Sequence, residues 1–225
     1  MRFYYLSADL GRTKKYAIGM SIGEYPIQQI NCSSCGEDWT KELIFTNESD
    51  HNIKIALSNS NFPDFLSYEI FSTFINTKVK ELLIKNNMTN FLLKNVVIKA
   101  STDLTDLEKK RLRNDNYTSA ELKRISDSPI EYYHLFVKGK AKLDLNKSEL
   151  ITDVCTECGS IHIRTTGDNP IDSGRAKYLD LEGWDGSDLF KVDIYPSRIF
   201  CTEKFYNLYN ENKLTGLFFD EVFVG

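Results

Sequence analysis

Four of the five cysteines in this 225-residue chain lie in two short repeats of one pattern. The first repeat reads CSSCG over residues 32–36, and the second reads CTECG over residues 155–159. A Cys-x-x-Cys pair is a chelating unit, because its tight turn brings both thiolates to one side. Zn²⁺ prefers four such ligands in a tetrahedron, with Zn–S distances of about 2.3 Å. We therefore predict one zinc ion per chain. Its predicted ligands are Cys32, Cys35, Cys155 and Cys158.

The glycine after each pair supports this interpretation. Gly36 and Gly159 follow the second cysteine, where the chain needs the positive φ that glycine adopts without strain. A zinc ion with four protein ligands has no open coordination position, so the predicted role is structural rather than catalytic. The ion would join two points far apart in the chain, where closing a loop costs the most conformational entropy.

Other uses of paired cysteines remain open at this point. A thioredoxin-like redox pair normally sits at a helix N-terminus after a strand, and an iron–sulfur cluster also takes four cysteine ligands. The fifth cysteine, Cys201, has no nearby partner in the sequence. The histidines, His51, His134 and His162, are isolated, and His162 near the second motif is a secondary candidate for the metal site.

The clearest element between the two motifs is an amphipathic helix. Apolar residues recur with a helical period over 73–87, which predicts a helix with Ser72 or Thr73 as its N-cap. The sequence FLLKNVVIKA over 91–100 follows and predicts a strand.

The end of the chain repeats this plan. Residues 198–225 predict a strand, a helix capped by Thr202, and a final strand. The residues at 88–91 (MTNF) also align with those at 214–217 (LTGL). An internal duplication explains these similarities, and chance recurrence of a common strand-helix-strand unit is the alternative.

We predict an α+β fold of mostly antiparallel strands with a few helices. The chain is expected to form a single globular domain over 1–225, and an internal duplication would relate 1–100 to 131–225. Two pseudo-symmetric halves would then meet at the four-cysteine zinc site. Residues 101–130 are polar and charged, and they are predicted to form an excursion between the halves.

Composition narrows the class of protein. Hydrophobic residues make up 41% of the chain and charged residues 27%, as in ordinary globular proteins. The formal net charge of −4 argues against nucleic-acid binding, which normally needs a basic face. No apolar run reaches the roughly 18 residues of a membrane helix, and the N-terminus lacks the features of a secretory signal. We therefore expect a cytoplasmic protein without a membrane partner.

Several segments together resemble a bacterial family named for its double CxxCG motif. The resemblance covers nearly the full chain. It rests, in order, on RFYYL at the start, CSSCG, CTECG, WDGSDLF, and the terminal KLTGLFFDEVFV. Members of that family include immunity proteins of polymorphic toxin systems. The resemblance implies that the four motif cysteines bind zinc and that the partner is a cognate toxin, while it transfers no toxin-contact residues.

The expected function is therefore that of an immunity protein, an antitoxin-like binder rather than an enzyme. The sequence shows no nucleophile elbow, no phosphate-binding glycine loop and no other catalytic set. One alternative is a zinc-stabilised adaptor with a different protein partner. A thiol redox protein or a nucleic-acid-binding protein is a further alternative.

Overall fold

The protein has an α+β fold dominated by antiparallel strand pairing, as predicted. The computed structural model describes residues 1–8, 15–23, 27–42, 53–68, 72–115, 117–118, 122–123, 125, 130–166 and 177–225. We refer below to residues 1–100 as the first half, to 131–225 as the second half, and to 101–130 as the connecting segment.

The strands of the first half are β1 (Phe3–Ala8), β2 (Ile18–Ser21), β3 (Ile27–Asn31), β4 (Asp38–Glu42), β5 (Lys54–Leu57), β6 (Phe65–Tyr68), β7 (Ser72–Asn76), β8 (Phe91–Asn95) and β9 (Val97–Ile98). Those of the second half are β10 (Tyr132–Val137), β11 (Gly139–Leu143), β12 (Leu150–Val154), β13 (Ile161–Thr165), β14 (Tyr178–Asp180), β15 (Leu189–Val192), β16 (Tyr195–Thr202) and β17 (Leu217–Val224). The helices are α1 (Thr77–Lys85), α2 (Asp106–Asn114) and α3 (Glu203–Glu211), with a 3₁₀ turn over Ser101–Asp103.

Most strands form two large ring-like sheets, and the hairpins β3–β4 and β12–β13 form two separate two-stranded sheets. In the second ring, a closed barrel has the order β1-β16-β15-β11-β14-β17. In the first ring, a seven-stranded sheet has the order β8-β10-β7-β6-β2-β5-β9. Only Val96 separates β8 from β9 in the chain, yet these strands lie at opposite ends of the order, so this sheet also curls into a ring.

The two rings have matching strand pairings. In the first ring, β2 pairs antiparallel with β5 and parallel with β6, and β9 pairs parallel with β5. In the second ring, β11 pairs antiparallel with β14 and parallel with β15, and β17 pairs parallel with β14. Each half thus follows one topological plan, while an origin by duplication stays a prediction.

Each half contributes its first strand to the other ring. The strand β1 lies between β16 and β17 and is antiparallel to both. The strand β10 lies in the same way between β7 and β8. The registers also correspond. Leu6 of β1 opposes Phe219 of β17, and the equivalent residue of β10, Leu135, opposes Leu93 of β8. The exchange ties the halves together through backbone hydrogen bonds.

The sequence placed the start of the first helix too early. Residues 72–76 form β7 instead of helix, because this segment pairs with both β6 and β10. The N-cap is Asn76, whose side-chain oxygen accepts a hydrogen bond from the Val79 N–H at 3.0 Å. The predicted caps Ser72 and Thr73 are therefore wrong. In the second half, α3 does begin after Thr202, although this side chain makes no capping hydrogen bond.

Apolar side chains fill each ring and the space between them. One buried cluster lines the first ring and includes Phe74 and Tyr132, and another lines the second and includes Phe190 and Phe200. A third cluster combines residues of both halves, so a common core joins the rings. Its members are Tyr4, Leu6, Phe65, Ile75, Val79, Leu83, Met88, Leu135, Val137, Leu189, Ile199, Cys201, Phe205, Leu208, Tyr209, Leu214 and Leu217.

The connecting segment packs on the outside of the first ring. Leu104, Leu112 and Ile125 are buried there against Met20 and Ala56. The pair that corresponds to Met20 and Ala56 in the second ring is polar, consisting of Lys142 opposite Asp180. The described residues of the segment therefore cover an apolar pair on the first ring whose counterpart on the second ring is polar.

Candidate metal centre

The first cysteine motif forms the turn of the two-stranded hairpin β3–β4. The N–H of Cys32 donates to the Glu37 carbonyl at 2.9 Å, and the Gly36 N–H donates to the Cys32 carbonyl at 3.0 Å. Gly36 has a φ of 72°, and a Cβ added there would meet no atom within 4 Å. The backbone conformation, and not lack of space, therefore accounts for glycine at this position.

The second motif has the same geometry at the turn of β12–β13. The Cys155 N–H donates to the Ser160 carbonyl at 2.9 Å, and the Gly159 N–H donates to the Cys155 carbonyl at 2.8 Å. Gly159 also has a φ of 72°. Both motifs are tight knuckle turns between strands, and neither has the helix N-terminus of a thioredoxin-like site.

The structure brings all four predicted cysteines together. Their sulfur atoms lie within 4.8 Å of one another, and no other group of three or more candidate metal-binding side chains occurs among the described residues. The Sγ atoms of Cys32 and Cys155 are 3.7 Å apart, as are those of Cys35 and Cys158. A regular ZnS₄ tetrahedron with bonds of about 2.3 Å has edges of about 3.8 Å. The four sulfurs therefore fit a tetrahedral metal ion, with two ligands from each half.

Backbone donors stabilise thiolate charge in the second knuckle. The N–H groups of Cys158 and Glu157 point at the Cys155 sulfur and lower the pKa of this thiol to about 6. In the first knuckle, the Glu37 N–H favours the thiolate of Cys35. Desolvation and the neighbouring sulfurs outweigh this donor and raise the pKa of Cys35 to about 12. The neighbouring sulfurs favour the thiolate of Cys155 and oppose that of Cys35, and a divalent cation would favour the thiolate form of both.

Two further contacts cross between the knuckles. The Cys32 thiol lies 3.4 Å from Oε2 of Glu157, and Nδ1 of His162 lies 3.6 Å from Oε1 of Glu37. His162 is outside the sulfur cluster, so the structure does not place it as a metal ligand. The sequence carries no local signal for these contacts, because each joins residues from different halves.

The remaining candidates lie away from this centre. Cys201 is buried in the core shared by the two rings. His134 is buried in the first ring, where its ring packs against Phe74 and Phe136. His51 lies outside the described residues.

A second link between the halves involves the Leu-Thr-Gly element near the C-terminus. The Asp64 carboxylate accepts hydrogen bonds from the N–H and the hydroxyl of Thr215, each at 3.0 Å. The Phe65 N–H donates to the Thr215 carbonyl at 2.9 Å. Gly216 has a φ of 102°, and a Cβ there would lie 2.0 Å from the Phe65 carbonyl oxygen. Glycine is therefore required where this turn meets the first half. The sequence repeat drew attention to the element without indicating its contact.

Comparison with protein-family models gives no match for this chain, and comparison with curated protein sequences gives none either. Among the described residues, no helix is both long enough and apolar enough to cross a membrane.

Proposed function

We propose that this chain is a bacterial immunity protein that binds and neutralises a cognate toxin domain, with one structural zinc ion holding its two knuckles together. The observation that carries the zinc part is the sulfur cluster, whose 3.7 Å contacts match the edge of a ZnS₄ tetrahedron. The proposed binding of a toxin domain is supported by the resemblance of the sequence to the double-CxxCG family.

The geometry supports a structural rather than a catalytic role for the ion. Four thiolates fill a tetrahedral coordination sphere and leave no position for water or a substrate. When bound, the ion would neutralise thiolate charge and connect the hairpins β3–β4 and β12–β13. The residues that hold it come in equal number from each half, so its binding favours the arrangement in which the halves are joined.

A binding function requires a surface rather than an active-site constellation. The protein is acidic overall, with a net charge of −4, and a basic toxin domain would meet it with favourable long-range attraction. A zinc-stabilised adaptor with a non-toxin partner is the second candidate, since the same cluster supports it equally well.

Co-expression tests the immunity proposal. A toxin domain encoded beside the gene of this chain should arrest growth when expressed alone, and growth should recover when both proteins are made. The purified pair should also elute as one complex. As a matched control, Cys201→Ala should protect as the wild type does, because this thiol lies away from the sulfur cluster. Continued growth arrest despite soluble, zinc-loaded protein would contradict the proposal.

A further inference from the structure

The four clustered thiols also have the geometry of a redox-sensitive link between the halves. Both 3.7 Å sulfur contacts join cysteines of different halves, Cys32 to Cys155 and Cys35 to Cys158. A disulfide has an S–S distance of about 2.05 Å, so each pair needs to approach by about 1.7 Å. The backbone hydrogen bonds of each knuckle hold its turn independently of any metal.

The sulfurs are accessible to a small oxidant. Cys35, Cys155 and Cys158 are partly exposed, and only Cys32 is buried. A cavity of about 660 Å³ opens beside Cys35, with Glu37, His162 and Arg164 among its lining residues. A peroxide molecule can therefore reach the cluster without unfolding of the rings.

We propose that peroxide converts the cluster into two disulfides that cross between the halves, Cys32–Cys155 and Cys35–Cys158. In each reaction two zinc-bound thiolates lose two electrons as the S–S bond forms. One molecule of hydrogen peroxide accepts these electrons and takes two protons from the solvent, its O–O bond breaks, and two molecules of water are released. The oxidised sulfurs no longer bind a metal ion, yet the halves stay joined because each disulfide replaces a shared metal contact with a covalent bond.

This proposal rests on the zinc part of the proposed function and not on the identity of any protein partner, and the disulfide map reads the cysteine pairing separately from zinc release. The test is titration of zinc-loaded wild-type protein with hydrogen peroxide. Zinc release is followed with a chromogenic chelator, and disulfides are mapped by mass spectrometry of non-reduced peptides. About two equivalents of peroxide should release all of the zinc and give the two cross-half linkages. Dithiothreitol with added zinc should restore the original metal content.

Two double variants provide a matched comparison, because each keeps two cluster thiols. In Cys35→Ser/Cys158→Ser, the remaining Cys32 and Cys155 should form one disulfide on treatment with peroxide. In Cys155→Ser/Cys158→Ser, the remaining thiols belong to one knuckle and should form a disulfide more slowly under the same conditions. Disulfides within a knuckle, sulfinic acids as the main products, or full zinc retention in the wild type would each overturn the proposal. The wild-type map decides the question even if a variant fails to fold.

Discussion

At the residue scale, substitution of any one of the four clustered cysteines tests whether they bind the metal ion. Cys32→Ser should abolish stoichiometric zinc binding, because oxygen replaces one of four soft ligands. Since zinc binds the folded state, its loss should lower the free energy of unfolding by about 3–4 kcal/mol at zinc concentrations of about 10²–10³ times Kd. Elemental analysis should give about one zinc per wild-type chain, and X-ray absorption should give four sulfurs at about 2.3 Å.

Cys201→Ala is the control for this substitution. Its thiol is fully buried in the shared core and lies outside the metal cluster, so zinc content should not change. Alanine is preferable to serine, because a serine hydroxyl at this site would be buried in apolar surroundings at a cost of about 1–3 kcal/mol. Full zinc content in Cys32→Ser would show that the thiolates are not the metal ligands.

A single histidine should make stability depend on pH. Desolvation, and to a lesser extent the charges of Lys191 and Lys94, lower the pKa of His134 to about 3 from its usual 6.5. The unfolded chain therefore binds a proton that the folded chain does not accept. This contribution is fully present above about pH 6.5 and is lost progressively as the pH falls toward 3.

The measurement is urea unfolding of the zinc-loaded protein between pH 7 and 5. His134→Phe should reduce the slope of unfolding free energy against pH, because it removes the group whose protonation differs between states. The substitution suits the site, where Phe74 and Phe136 already contact the imidazole. Because thiolate protonation also contributes, the result depends on the difference between the two proteins. Identical slopes would contradict the assignment to His134.

At the element scale, the helix α2 attaches the connecting segment to the first ring. Leu112 is fully buried among Met20, Ile22 and Ala56, whereas Leu107 on the same helix is 77% exposed. Leu112→Ala should cost about 2–5 kcal/mol, since it leaves a cavity in a packed cluster. Leu107→Ala should change stability by less than about 0.5 kcal/mol. Thermal unfolding of both variants checks this, and equal effects would mean that α2 is not docked.

The same packing changes how a role in recognition can be tested. If residues 101–130 served only to recognise a partner, deleting them would test whether they contact it. Removal would uncover apolar side chains of the first ring and confuse loss of contact with loss of stability. Substitution of exposed residues such as Leu107 and Lys110 separates the two effects.

Local sequence patterns predicted the helices, strands and turns better than the residues at which they begin and end or the elements with which they pair. Paired cysteines followed by glycine predicted the two knuckles and the set of clustered sulfurs, because this motif encodes its own turn. The helix N-cap at Asn76 was missed because β7 is stabilised by β6 and β10, and β10 lies in the other half of the chain. Such non-local pairing has no local sequence signal. The contacts of Asp64 with Thr215 escaped prediction for the same reason.

At the scale of the whole molecule, three features join the halves in addition to the contact of Asp64 with Thr215. These are the exchanged strands β1 and β10, the shared apolar core, and the knuckle cluster. The first two bury large apolar side chains and complete both rings without any metal. The third lies at hairpins that form separate two-stranded sheets, β3–β4 and β12–β13. A metal ion in the cluster would therefore stabilise the two peripheral hairpins more than the two rings.

Metal removal should consequently loosen the hairpins before it unfolds the rings. After exhaustive chelation under reducing conditions, amides over 27–42 and 150–165 should exchange with deuterium much faster, because isolated two-stranded hairpins are marginally stable in water. Amides of β1, β10 and β16 should keep most of their protection at 25 °C, since they lie in the completed rings. The melting temperature should fall, because zinc binding no longer favours the folded state. Hydrogen–deuterium exchange with mass spectrometry resolves these regions, and re-addition of zinc should restore the hairpin protection. Uniform loss of protection across both rings would instead show that the metal controls global folding, and unchanged exchange at the hairpins would show that the cluster holds no structural ion.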